Sequence, residues 1–161
     1  MKGFTLVELL VVVAILGVLA AVGVVSFGGF LGNSKANIAK TNHANITKFI
    51  QTSLMRCSLG YDSIPLKGYS GNDDPILCTD VRPGNAQAVQ FAFYWHFRGV
   101  KYMNPYDTSN TAMTTSNNCP DNQVVLGTTD ISWTDNGSTM IISTRYDTQN
   151  SDCLVSKVTI E

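Results

Sequence analysis

Between Glu8 and Lys35 the chain carries 26 consecutive residues without a formal charge, and no other feature restricts its fold as strongly. As an α-helix such a run extends about 39 Å, enough to cross a bilayer core of about 30 Å. Val18-Leu19-Ala20 loosely matches the small-residue cleavage site of a secretory signal peptide. The basic region ahead of it, however, is only Met1-Lys2, and the apolar run continues well past Ala20. Both facts favour a retained membrane helix. Lys2 on the short side predicts a cytoplasmic amino end and export of the rest. Glu8 then stands out, because a charge inside a bilayer costs about 2.5–3.5 kcal/mol even on permissive insertion scales. Either the carboxylate snorkels at the interface or something pairs with it.

The residues after 35 can close one small core. Only 14% of the chain is charged, against about 25% in ordinary soluble domains. Ser, Thr, Asn and Asp dominate the second half, which suits an exported, loop-rich β surface. A net charge of −1 gives no broad basic field for obligatory nucleic-acid binding. Nucleic acid stays open as a partner only through a local lysine patch. There is no Gly-x-Ser-x-Gly elbow, phosphate-cradling glycine loop or HExxH helix. His43 reads as a packed or solvated side chain and His96, with Trp95, as core and rim, so no enzyme and no cofactor are expected.

Gly3-Phe4-Thr5-Leu6-Val7-Glu8 followed by a long apolar helix resembles the processing site of type IV pilins. The resemblance covers roughly the first third of the chain. It implies cleavage by a prepilin peptidase between Gly3 and Phe4 and N-methylation of Phe4. It further implies a homopolymer, built by an assembly machinery in the inner membrane. The chain would be held by membrane lipid first and then displayed on a bacterial surface as a pilus. Glu8 of one subunit would meet the cationic Phe4 amine of a neighbour, since a buried charge is tolerable only when paired. Many family members carry a proline near Val25, and this chain has none. Glycines recur instead at Gly17, Gly23, Gly28, Gly29 and Gly32. Gly17 to Gly23 is the stretch expected to lose helix in a filament, each glycine costing up to about 1 kcal/mol. Close helix packing is the alternative use of these small residues.

The expected fold is α+β. A long N-terminal helix, membrane-spanning in its first half and amphipathic in its second, packs on a C-terminal antiparallel sheet of three to four strands. The domains are a leader (1–3), a transmembrane and polymerisation half-helix (4–32) and an exported globular domain (33–161). Within the last, Ala39, Ile46, Ile50, Leu54 and Cys57 form the stripe of an amphipathic helix over 33–58, ended by Leu59-Gly60. Residues 59–121 form a loop-rich connection. In it, Val89, Phe91, Phe93, Trp95 and Phe97 alternate as in a strand, while Pro83-Gly84-Asn85 and the spacing of Val89, Phe93 and Phe97 favour a short helix. We take the helix. Residues 122–161 read as a meander: Val124 to Trp133, a hairpin at Asp135-Asn136-Gly137, Ser138 to Tyr146, then Leu154 to Ile160.

Four cysteines permit three pairings. The meander returns the starts of its first and third strands to one end, which pairs Cys119 with Cys153 and leaves Cys57 with Cys78. A C-terminal disulfide loop also resembles that of many type IV pilins. Asn104-Pro105-Tyr106-Asp107 is similar to a turn in pilin-like proteins, including secretion pseudopilins that bind calcium nearby. That makes Asp73, Asp74, Asp107 and Asp121 weak calcium candidates, although no fixed ligand spacing supports them and no metal is assigned. Taken together, the resemblance implies a major pilin whose fibre serves adhesion, motility or DNA uptake. A type II secretion pseudopilin and a ligand-binding minor or tip pilin are the alternatives.

Overall fold

The computed structural model describes residues 3–114, 119, 125–134, 137–148 and 152–160. They fall into two compact units, one up to Ser34 and one from Lys35 onward. Met1 and Lys2 of the leader, Asp121, the strand start at Val124, Asp135-Asn136 of the hairpin signal and Asn150-Ser151 lie outside the described residues.

Helix α1 spans Leu6–Ser58. In the first unit its large apolar side chains from Leu6 to Val24, and those of Phe30 and Leu31, are exposed. The helix is long and apolar enough to cross a membrane, with a mean hydropathy of 2.9 in its most apolar window. Gly17 and Gly23 lie within this continuous helix. No heavy atom stands within 4 Å of where a Cβ on either would be.

In the second unit α1 buries Ala36, Ala39, His43, Ile46, Ile50, Ser53 and Leu54. The first six are separated alternately by three and four residues, so they form one stripe along the helix. The helix ends at Gly60, whose φ of +84° is the left-handed conformation that glycine adopts without a side-chain clash. The amides of Gly60 and Tyr61 turn back to the carbonyls of Cys57 and Arg56, satisfying groups that the helix end leaves open.

A small antiparallel hairpin follows, β1 (Ser63–Ile64) with β2 (Ile76–Leu77). A single 3-10 turn at Cys78–Asp80 leads on toward α2 (Ala86–Gly99). The helical reading of 85–98 is what the structure shows, and the four-residue spacing explains it: Val89, Phe93 and Phe97 all point into the core. The main sheet orders β3 (Met113–Thr114), β4 (Thr129–Thr134), β5 (Thr139–Arg145) and β6 (Cys153–Thr159). Neighbours from β4 to β6 are antiparallel, while β3 lies parallel to β4.

Three details correct the sequence reading. The sheet is mixed, because the two-residue β3 joins its edge in parallel; so short a strand leaves no periodicity to detect. The first meander strand begins at Thr129, well after Val124, because residues 126–127 turn around Gly127 at φ +80°. The last strand is shifted one residue earlier than Leu154 to Ile160.

The core joins both helices to one face of the sheet. Ile46, Ile50 and Leu54 of α1 meet Val89, Phe93 and Phe97 of α2, Ile131 of β4, Met140 and Ile142 of β5, and Val158 of β6. Beyond β3, the outer edge of β4 has no strand partner among the described residues, and the Gln90 side chain of α2 donates to the Ile131 carbonyl there. The sheet face is not purely apolar. Thr144 and Ser156 sit on it, and His43 bonds both, through Nδ1 at 2.9 Å and Nε2 at 2.8 Å. Thr129 extends the chain to Thr144 at 2.7 Å. A second histidine secures the connection: His96 Nδ1 accepts the Lys67 amide at 2.9 Å while its ring stacks on Phe49 at 4.7 Å.

Burial disfavours the charged form of both histidines, and Lys67 adds to this at His96, so both pKa values lie below 6.5. Unfolding therefore takes up protons at mildly acidic pH. Their contribution to stability is complete above about pH 6.5 and is lost as pH falls below it. Thermal unfolding of the detergent-solubilised chain should show a melting temperature that drops through this range. His43→Gln should flatten the drop, and an unchanged slope would exclude His43 as its source. Gly127 supplies a second test, since a Cβ there would strike the Asn104 side chain as well as strain a positive φ. Gly127→Ala should cost at least about 1–3 kcal/mol in a denaturant titration.

Candidate assembly site at the amino terminus

The helix begins at Leu6 because Thr5 caps it. Thr5 donates to Glu8 Oε2 through its amide at 2.8 Å and its hydroxyl at 2.7 Å, and the Glu8 amide lies 3.3 Å from the Thr5 hydroxyl. This reciprocal arrangement is a capping box, in which a threonine and a glutamate three residues on satisfy two of the open amides. The Thr-x-x-Glu signal was present in the sequence, hidden inside a motif read for cleavage. Glu8 is thus a helix-starting residue as well as an exposed anion at the head of an uncharged run. Phe4 stands immediately before the capping Thr5, 85% exposed. The positive end of the helix dipole also favours a carboxylate in the first turn. The arrangement leaves a fixed and exposed carboxylate at the start of the helix.

The other singled-out residues do not gather with this group. Asp73 forms an ion pair with Lys67 at 2.7 Å, and Asp74 lies against Gly68. Asp107 accepts from Ser109 and Asn110, and these bonds hold its carboxyl below the usual range. Among the described residues no three His, Cys, Asp or Glu side chains come together as a metal site would require. The 104–107 turn instead anchors structure. Asn104 Oδ1 accepts the Tyr106 amide at 2.8 Å, its Nδ2 donates to the Leu126 carbonyl at 2.9 Å, and the Tyr106 hydroxyl donates to the Tyr146 carbonyl at 2.6 Å.

Disulfides join Cys57 to Cys78 and Cys119 to Cys153. The first ties the end of α1 to the 3-10 turn after β2. The second ties the segment before β4 to the start of β6. Their separations of 21 and 34 residues correspond to about 3–4 kcal/mol each in the chain-entropy account.

Residues 1–24 match the family model described as a prokaryotic N-terminal methylation motif. A type IV major fimbrial protein FimA of Dichelobacter nodosus is 32% identical over 77 residues, 44% of this chain and 48% of that protein. The type IV major pilin protein PilA of Myxococcus xanthus (strain DK1622) is 54% identical over 41 residues, 26% of this chain and 19% of that one. The chain thus spans about half the length, or less, of the curated relatives it matches. No solved structure matches it. The chain carries an apolar helix headed by a methylation motif, and its partial similarity to type IV major pilins supports a place in that family.

Proposed function

We propose that the chain is a major pilin, a structural subunit that polymerises through its N-terminal helix into an extracellular fibre. The observation that carries this reading is the exposed Glu8 carboxylate, held in a capping box four residues after Phe4 at the head of an uncharged helix. A prepilin peptidase cuts between Gly3 and Phe4 and methylates the new amine, which keeps its positive charge. In the fibre, Glu8 of one subunit pairs with the Phe4 ammonium of the next. A subunit slipped out of register would leave both charges unmatched in an apolar bundle, a loss of about 3–5 kcal/mol for a broken buried pair. Before assembly the helix lies in the inner membrane; afterwards neighbouring helices cover the surface that lipid covered. The soft stretch from Gly17 to Gly23 is where the helix stretches on assembly. Nothing in this reading calls for catalysis, and the fibre serves adhesion, motility or DNA uptake through the exported domain.

The capping box makes a sharper test possible than simple truncation. Glu8→Gln keeps a side chain able to cap but removes the charge, whereas Glu8→Ala removes both. Both variants should insert in the membrane, and both should fail to give filaments in electron micrographs of sheared surface material. Normal filaments from Glu8→Gln would overturn the charge-pairing role. Mass spectrometry of wild-type filaments should return this chain as the main component, beginning at methylated Phe4; a trace presence would favour a minor pilin.

A further inference from the structure

Away from the amino terminus, α2 carries an arginine in an unusual setting. Tyr94, Trp95 and Arg98 lie close together on the helix, and Tyr69 reaches them from the loop between β1 and β2. The guanidinium carbon of Arg98 is 5.5 Å from the ring centres of Tyr69 and Tyr94 and 5.8 Å from that of Trp95. Nη1 donates to the Tyr94 hydroxyl at 2.6 Å. Among the described residues no carboxylate lies within ion-pairing distance of Arg98, and its buried Nε has no hydrogen-bond partner. A guanidinium has five donors in a rigid fork suited to a carboxylate. Here three rings, one of them also through its hydroxyl, fix that fork, with no anion among the described residues.

The rings that hold the cation are also open to solvent. Tyr69 is 64% exposed and Trp95 38%, and their planes meet at 79° with centres 5.4 Å apart. They form a corner with apolar walls, beside the short polar residues Ser70, Gly71 and Asn72. Nearby charge restricts what can enter. Lys67 is already committed to Asp73, and Asp73 and Asp74 are both exposed. A polyanion such as a nucleic-acid strand would run many charges past these carboxylates, whereas a ligand with a single carboxylate places one charge at Arg98.

We propose that Tyr69, Trp95 and Arg98 form a binding site for a carboxylated sugar unit of a surface glycan. The sugar's carboxylate takes the open edge of the Arg98 fork, and its C–H face packs on the Trp95 and Tyr69 rings. Charge-assisted bonds to a fixed guanidinium supply selectivity for the acid, and holding the fork in place beforehand lowers the entropic loss on binding.

The test uses the full chain in detergent, so its result does not depend on polymerisation. Glucuronic acid and N-acetylneuraminic acid serve as probes, followed by saturation-transfer NMR and tryptophan fluorescence. At least one acid should bind saturably with a Kd of about 1 mM, ordinary for a single unit held by few contacts. Tyr69→Ala and Arg98→Gln should each weaken it about tenfold or more, equivalent to about 1.4 kcal/mol. Tyr69 is exposed enough that its truncation leaves the fold intact, which circular dichroism checks. Several results would overturn the assignment: no saturable binding of either acid, equal binding of the corresponding methyl ester, or unchanged affinity in both variants. Preferential binding of oligothymidylate would do the same in favour of nucleic acid. Self-association abolished by Arg98→Gln would do so in favour of a second copy of this chain.

Discussion

The second unit depends on one seam, where the stripe of α1 from Ala36 to Leu54 meets the inner face of a four-stranded sheet. Most of that seam is apolar, and hydrophobic burial is non-directional. Apolar contact alone would hold helix and sheet together without fixing their register. His43 provides the direction. Its two ring nitrogens bond hydroxyls on adjacent strands, Thr144 on β5 and Ser156 on β6. A one-residue slip of either strand would turn that hydroxyl to the opposite face and leave a buried nitrogen unsatisfied, at about 1–3 kcal/mol. The polar group is therefore a locator set in an apolar seam. Its burial, like that of His96, disfavours the charged imidazolium in the folded domain.

Around the seam, the irregular segments are held by individual bonds in place of regular structure. His96 holds the loop after β1 through the Lys67 amide, Gln90 satisfies a buried carbonyl of β4, and Asn104 with Tyr106 fastens the turn before β3 to the segments around Leu126 and Tyr146. Two disulfides close the longer excursions. A domain with so short a β3 and β1–β2 hairpin has little ladder bonding to spend on these regions, and side-chain bonds to backbone carry them instead.

What was legible in the sequence follows from this division. Long periodic elements could be read: α1 to Ser58, α2 from the spacing of Val89, Phe93 and Phe97, and three meander strands within a few residues. The parallel β3 could not, because its two residues owe their conformation to contacts with β4 and not to local preference. The Gly127 turn was missed because Val124 to Trp133 reads as a continuous run until a positive φ interrupts it. His43 reads from sequence as a packed or solvated side chain, and the structure packs it. Its place in the Ala39–His43–Ile46–Ile50 spacing was the available signal, but the hydroxyls it meets are about a hundred residues away in sequence. At the candidate site, the spacing of Gly3, Phe4 and Glu8 was visible at once. Thr5 was overlooked because one short motif carries two overlapping messages.

Those two messages bear on how a charged residue survives at the head of an apolar helix. A carboxylate has two oxygens and about four acceptor positions. The capping box uses Oε2, within the chain, to close the open amide end of α1. Doing so fixes the side-chain rotamer, so the carboxylate has already lost most of the freedom that an external contact would otherwise cost. Side-chain ordering of a glutamate amounts to as much as about 1.5–2 kcal/mol. On the proposed reading, that ordering is complete before a neighbour arrives, and the incoming ammonium meets an oriented anion. The same residue then starts the helix and specifies its partner, which explains why the motif tolerates a charge where the surrounding sequence is built to exclude one.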